Sequence, residues 1–217
     1  LLSIPSVILN EDDAKEVPFL AKFGFKYATA VFSPNCCDIS TFKNKIGYNG
    51  YHELAYLHPN YFKPDKSKIT DLLKHGEKYF ILRFAELTAH HDDGKNGIDL
   101  EIANKLIGLL SPFGRVYITS ERKLERELEP YRIFINPKNI HHALYFAEMY
   151  IGDSQTMAAE AAVLGTPSIR FNDFVGKLGY LEELEDKYGL TLGISTDNPN
   201  LLFTRVNELL TNKDLKK

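Results

Sequence analysis

The chain has 217 residues, 44% of them apolar and 25% charged, the balance of an ordinary globular protein. With 26 Lys and Arg against 29 Asp and Glu the formal net charge is −3, so no cationic excess is available to neutralise nucleic-acid phosphates. No apolar run approaches the ~20 residues of a membrane span, and the adjacent Cys36 and Cys37 read as free thiols of a reducing, cytoplasmic compartment rather than as a disulfide framework.

In chain order, "SVIL" reads as a strand, "AKEVPFLAKFGFKYA" as a helix and "TAVFSP" as a second strand, a βαβ piece without the rest of its sheet. The chain opens inside this apolar run, without Met, a basic n-region or a cleavage site, and so reads as a segment of a longer protein. "KNKIGYNGYHELAYLHPNYFKPD" is rich in Gly, Asn, Pro and Tyr and reads as a hinge. From residue 79 six β-rich runs follow: "YFILRF", "RVYIT", "RIFI", "MYIG", "PSIRF" and "LTLGIS". Between them lie the helical patterns "LEIANKLIGLL", "ERKLEREL", "NIHHALYFAE", "SQTMAAEAAVL" and "GYLEELEDKYG", and "NPNLLFTRVNELL" closes the series. Such alternation predicts an α/β fold with a parallel, Rossmann-like sheet, mainly of six strands, and helices on both faces. The expected division is residues 1–47, a hinge at 48–65, and a larger unit at 66–217. In such sheets ligands collect beyond the carboxyl ends of the strands.

The stretch "GDSQTMAAEAAVLGTPSIR" is the most informative. Asp153 or Ser154 is placed to cap a helix starting at Gln155, and the same free N–H groups and helix dipole favour an anion such as a phosphate. Thr156 and Glu160, four apart, share a face rising from that mouth. A carboxylate there can accept hydrogen bonds from ribose hydroxyls, or it is simply solvated. The loop after "FILRF" offers Arg83 for bidentate phosphate contact. It also offers His90, His91 and Asp92, with His91 able to act as an acid. Adjacent residues seldom chelate one ion and no H-x-x-x-H spacing occurs, so His90, His91, Asp92 and Asp93 are not read as a metal site. His141 and His142 read as solvated or capping side chains. At the first strand's end Glu11, Asp12, Asp13 and Glu16 cluster at a helix start. There they serve as partners of the helix dipole.

The same stretch resembles the nucleotide-binding signature of the GT-B fold, above all that of UDP-N-acetylglucosamine 2-epimerases, D-S-G-G-x-x-x-E-A followed by L-G-x-P. It is similar, more closely still, to an uncharacterised prokaryotic GT-B-like family related to those epimerases. The resemblance covers essentially the whole chain: "IPSVILNEDD" and "YATAVFSP" look like late strands of the amino-terminal half, "KIGYNG" like the hinge, and "FILRFAELTAHHDDG" like the first strand and loop of the carboxyl-terminal half. It implies the carboxyl-terminal, nucleotide-sugar-binding half of a glycosyltransferase, with a small βαβ remnant of the other half. A UDP sugar is the implied substrate, no separate cofactor is needed, and the segment alone is expected to be inactive. Ser154, Gln155 and Thr156 would line the diphosphate, with Arg83, His90 and Asp92 near it. Glu160 would hold the ribose, and Glu11, Asp13 and His91 would supply catalytic groups. The family's paired glycines are Gln155 and Thr156 here, whose side chains narrow the phosphate site or supply hydrogen bonds themselves; its E-A-N-R motif is unmatched, which favours another use of the same fold over epimerisation. An epimerase-like enzyme and a non-catalytic nucleotide-sugar binding module remain open alternatives.

Overall fold

A computed structural model describes residues 4–39, 42–73, 78–86 and 97–212. Among them are eight strands in two sheets. A three-stranded sheet holds β1 (Val7–Leu9), β2 (Ala30–Pro34) and β3 (Lys45–Tyr48) in that order. A five-stranded sheet holds β4 (Tyr79–Phe84), β5 (Arg115–Ser120), β6 (Met149–Gly152), β7 (Ser168–Phe171) and β8 (Thr191–Ile194), in the spatial order β5-β4-β6-β7-β8. Every pairing within both sheets is parallel. Parallel neighbours need crossover connections. These contain α1 (Pro18–Phe23), α3 (Leu100–Leu110), α4 (Ile140–Phe146), α5 (Gln155–Val163) and α6 (Gly179–Glu182), while α2 (Leu54–Leu57) lies between the sheets in sequence and α7 (Pro199–Thr211) follows β8.

Strand alternation sorts the core. Phe80, Leu82 and Phe84 of β4 face the cluster that includes Leu106 and Leu110 of α3 and Leu202 and Val206 of α7. Tyr79 and Ile81 face the opposite cluster, with Ala143 and Leu144 of α4 and Met157, Ala158 and Ala161 of α5. The period of two puts Arg83 on this second face. α3 forms over the expected residues because Asp99 caps it, accepting from Ile102 N at 2.8 Å, and its apolar positions recur on one face.

Helix α5 explains its own composition. It packs on β6 and β7 at one side and α4 at another, while Ala159 and Val163 meet Cys37, Tyr180 and Leu181 in a third cluster. Ala158, Ala159, Ala161 and Ala162 are all buried, and Ser168 Oγ donates to the Ala158 carbonyl at 2.9 Å. Neighbours on several sides leave room only for small side chains.

Two expectations are corrected. "RIFI" is not a sixth strand: Ile133 N donates to Ile118 O at 2.9 Å and a single bridge joins Ile118 to Arg132, while Phe134 is 87% exposed. Pro130 and Pro137 bracket the run and keep it to an edge contact. "ERKLEREL" forms turns, not a helix, with only Leu124 and Leu128 anchored in the core. The hinge stretch contributes structure of its own, since β3 completes the first sheet and α2 follows it. No helix among the described residues is long and apolar enough to cross a membrane.

Candidate functional site

The chain winds from β4 through α3 to β5 on one side and, after α4, from β6 through α5 to β7 on the other. Adjacent strands β4 and β6 therefore form the switch point of the larger sheet, and parallel sheets of this kind take their ligands beyond the strands' carboxyl ends at that point. Arg83 pairs in register with Gly152, and the Asp153 N–H donates to the Arg83 carbonyl at 3.3 Å. A Cβ on Gly152 would lie 2.9 Å from that of Arg83 and 2.4 Å from the Tyr150 hydroxyl, so glycine is what lets the arginine stem lie beside β6.

At this switch point α5 begins without a side-chain cap, contrary to the expectation for Asp153 or Ser154. Asp153 is turned away because its carboxylate is used elsewhere. It is buried and accepts from Ala85 N at 2.6 Å and Ile98 N at 3.4 Å, tying together the exits of β4 and β6 and the start of α3. Burial lifts its carboxyl to about 6, against the opposing pull of the backbone N–H donors and Arg122. Asp153→Ala is expected to lower stability by ~1–3 kcal/mol, because the buried Ile98 N–H and the part-buried Ala85 N–H lose their acceptor. Thermal unfolding checks this, and an unchanged midpoint would show that the loops are held by other contacts.

Ser154 is half-buried, Thr156 is exposed, and the Gln155 side-chain oxygen is buried without a partner among the described residues. Glu160 does not lie on an open face with Thr156. It is 8% exposed, and its Oε1 accepts from the Tyr56 hydroxyl at 3.0 Å and meets His141 Nε2 at 2.9 Å. Its Oε2 has no partner among the described residues. His141 is thus neither solvated nor a cap, whereas His142 Nδ1 accepts from Asp65 N at 3.1 Å. Arg83 pairs with the half-exposed Glu121, and its Nε is buried and unpartnered. Arg122, not singled out in the sequence, lies over the Phe84 ring at 5.0 Å and donates to the Ile98 carbonyl, a second cation by the same strand ends. His90, His91 and Asp92 lie outside the described residues.

The acidic group after β1 divides by environment. Asp13 is buried and engaged at both oxygens, by Asp38 N and by Gly179 N at 2.7 Å, which pins the small sheet to α6. Glu11 is freer: its Oε2 accepts from His52 N at 3.2 Å and lies 3.5 Å from His52 Nδ1, and burial raises its carboxyl above the usual range. Apart from these groups, a cavity of about 580 Å³ opens beyond β2 and β3, lined by Cys36, Tyr48, Tyr51, Leu54 and Tyr188 among others, and takes in neither Arg83, Ser154, Gln155, Thr156 nor Glu160. Among the described residues no group of three His, Cys, Asp or Glu side chains is arranged to hold a metal ion.

Solved structures share this architecture. A calicheamicin glycosyltransferase matches 98% of this chain and 61% of its own, at 13% identity and a TM-score of 0.52. A wall teichoic acid polymerase, in a crystal soaked with CDPG, matches 90% of this chain and 53% of its own, at 14% identity and a TM-score of 0.50. The chain thus spans about half to three fifths of the length of these proteins. At such identities the likeness defines the fold: an α/β protein of parallel sheets with the Rossmann-like architecture of GT-B proteins. No protein family matches the chain, and no curated protein does.

Proposed function

We propose that this chain is the nucleotide-sugar-binding part of a GT-B glycosyltransferase, with a UDP sugar as the donor. The observation that carries the reading is the uncapped start of α5 at the β4–β6 switch point, with Arg83 beside it and a free oxygen of Glu160 further along the helix. The diphosphate sits at the N–H groups of Gln155 and Thr156, where the helix dipole and free donors favour negative charge. Ser154 lines its path, and Arg83 turns from Glu121 to the phosphate. Glu160 Oε2 accepts a ribose hydroxyl while Oε1 stays with Tyr56 and His141.

Transfer at such a site proceeds by positioning and by neutralising the departing diphosphate with N–H groups and guanidinium. Glu11, held by His52, is the group to take the acceptor hydroxyl's proton. Asp13, with both oxygens on backbone N–H groups, positions the cleft instead. The likeness to a calicheamicin glycosyltransferase supports glycosyl transfer as the reaction class.

Calorimetric titration of the full chain tests the reading. UDP is expected to bind at least about tenfold more tightly than uridine, since charge-assisted phosphate contacts add ~1.5–3 kcal/mol. Equal affinities, or no binding of UDP, would contradict a diphosphate site at α5.

A further inference from the structure

The nucleotide site leaves a second set of buried polar atoms without a role. Glu53, just before α2, is 0% exposed, and neither carboxyl oxygen has a hydrogen-bond partner among the described residues. His52 Nε2, the Tyr48 hydroxyl and Gln155 Oε1 are likewise buried and unpartnered. Buried polar side chains nearly always have a partner, so a group of orphans points to something that visits them.

Their surroundings narrow the chemistry. Glu11 with His52 lies on the side of the small sheet, and Glu160 with Tyr56 and His141 on the side of α5. Glu53 feels both carboxylates: burial first, then the charges of Glu11 and Glu160, lift its carboxyl to about 8. It is therefore a neutral acid at pH 7, with one donor and one acceptor to satisfy. An anion would meet three carboxyl groups. An ammonium would leave the Glu53 O–H without an acceptor. A sugar hydroxyl both donates and accepts, as the neutral Glu53 carboxyl requires.

We propose that Glu53 is the centre of a hydroxyl-binding subsite that takes the sugar of the nucleotide-linked ligand, next to a ribose held by Glu160. This rests on the nucleotide reading above and adds to it the residue that senses the sugar.

The test is calorimetric titration of the full chain at pH 7 with UDP, UDP-glucose and UDP-N-acetylglucosamine, for wild type, Glu53→Gln and Glu53→Leu. Wild type is expected to hold at least one UDP sugar more tightly than UDP. Both variants should keep UDP affinity within about twofold, while Glu53→Leu loses about tenfold in affinity for that sugar nucleotide and Glu53→Gln, which still donates and accepts, loses less. Thermal unfolding verifies that both variants fold. Variants that keep the sugar's advantage, or that weaken UDP and UDP sugar equally, overturn the subsite and leave the nucleotide site standing. So does a wild type that binds UDP but neither sugar nucleotide more tightly. A wild type that binds no UDP overturns the nucleotide reading and the subsite with it.

Discussion

Glu160→Ala is expected to weaken UDP binding roughly 10- to 150-fold, the loss of one charge-assisted hydrogen-bond partner of ~1.5–3 kcal/mol. A second effect follows from the packing. Alanine suits a helix interior, yet the Tyr56 hydroxyl and His141 Nε2 both lose their acceptor. A fall in stability of ~1–3 kcal/mol should therefore accompany the loss of affinity. Glu160→Gln separates the two: its amide oxygen can still accept from Tyr56, so stability should fall less than with alanine. UDP binding should still weaken, because the amide cannot offer a second acceptor to the ribose. Calorimetry and thermal unfolding on the same samples read both effects. Equal UDP affinities in wild type and both variants would leave Glu160 as a packing residue that links α5 to Tyr56 and His141.

Glu53→Gln is expected to stabilise the protein, increasingly so at alkaline pH. The Glu53 carboxyl stands at about 8 when folded because it is buried and feels the charges of Glu11 and Glu160, and the pull of its own backbone N–H, which makes no well-formed hydrogen bond with it, only partly opposes the shift. When unfolded it returns to the ordinary carboxylate range near 4.5. Below that value both states carry the proton and no penalty exists. As pH rises toward 8 the unfolded chain releases the proton while the folded chain keeps it, so stability falls through this window and levels off above it. Each unit of displacement is worth about 1.4 kcal/mol, so a penalty of roughly 3–5 kcal/mol is expected by pH 8 to 9. The glutamine variant escapes it, and its unfolding midpoint should exceed that of wild type by roughly 5–15 °C at pH 8.5, with little difference at pH 4.5. Asp153 adds the same sense of dependence at lower pH, since its carboxyl is lifted from 3.8 to about 6, but it does so in wild type and variant alike. A midpoint difference that does not change between pH 4.5 and 8.5 would mean that Glu53 has a partner or reaches solvent. A buried acid with no partner is poor design for stability alone, and it is the cost expected of a group kept for a ligand.

Much of the frame was legible in the residues. Helix α3 runs over the expected Leu100–Leu110 because Asp99, the apolar periodicity and the crossover requirement all agree. The α5 stretch was legible for the same reason: an apolar strand, a small-residue helix and an L-G-T-P turn leave one way to build a crossover. "RIFI" misled because its β propensity is real, but its flanking prolines limit it to one bridge with Ile118. "ERKLEREL" misled because its leucines four apart suit either a helix or two anchors of an irregular loop.

The site was legible only where its chemistry is local. The mouth of α5 and Arg83 could be named from neighbours in sequence. Glu53 and His141 could not, since their meaning comes from contacts across the fold. Tyr56 reaches Glu160 over a separation of 104 residues, and Glu53 is an orphan only because of what surrounds it. Read locally, "GYHELAYL" is a hinge with one acidic residue. The misplacement of Glu160 has the same origin. Helical spacing put it on one face with Thr156, but the neighbours that bury that face come from α2 and α4.

The central claim is that UDP binds at the start of α5 with its ribose on Glu160. It is tested most directly by a crystal structure of the full chain grown with UDP. The account predicts the diphosphate within hydrogen-bond distance of the Gln155 and Thr156 N–H groups, Arg83 turned from Glu121 toward it, and a ribose hydroxyl on Glu160 Oε2. Density for UDP elsewhere, such as in the cavity lined by Tyr48, Tyr51 and Tyr188, with the α5 mouth unvisited, would contradict it.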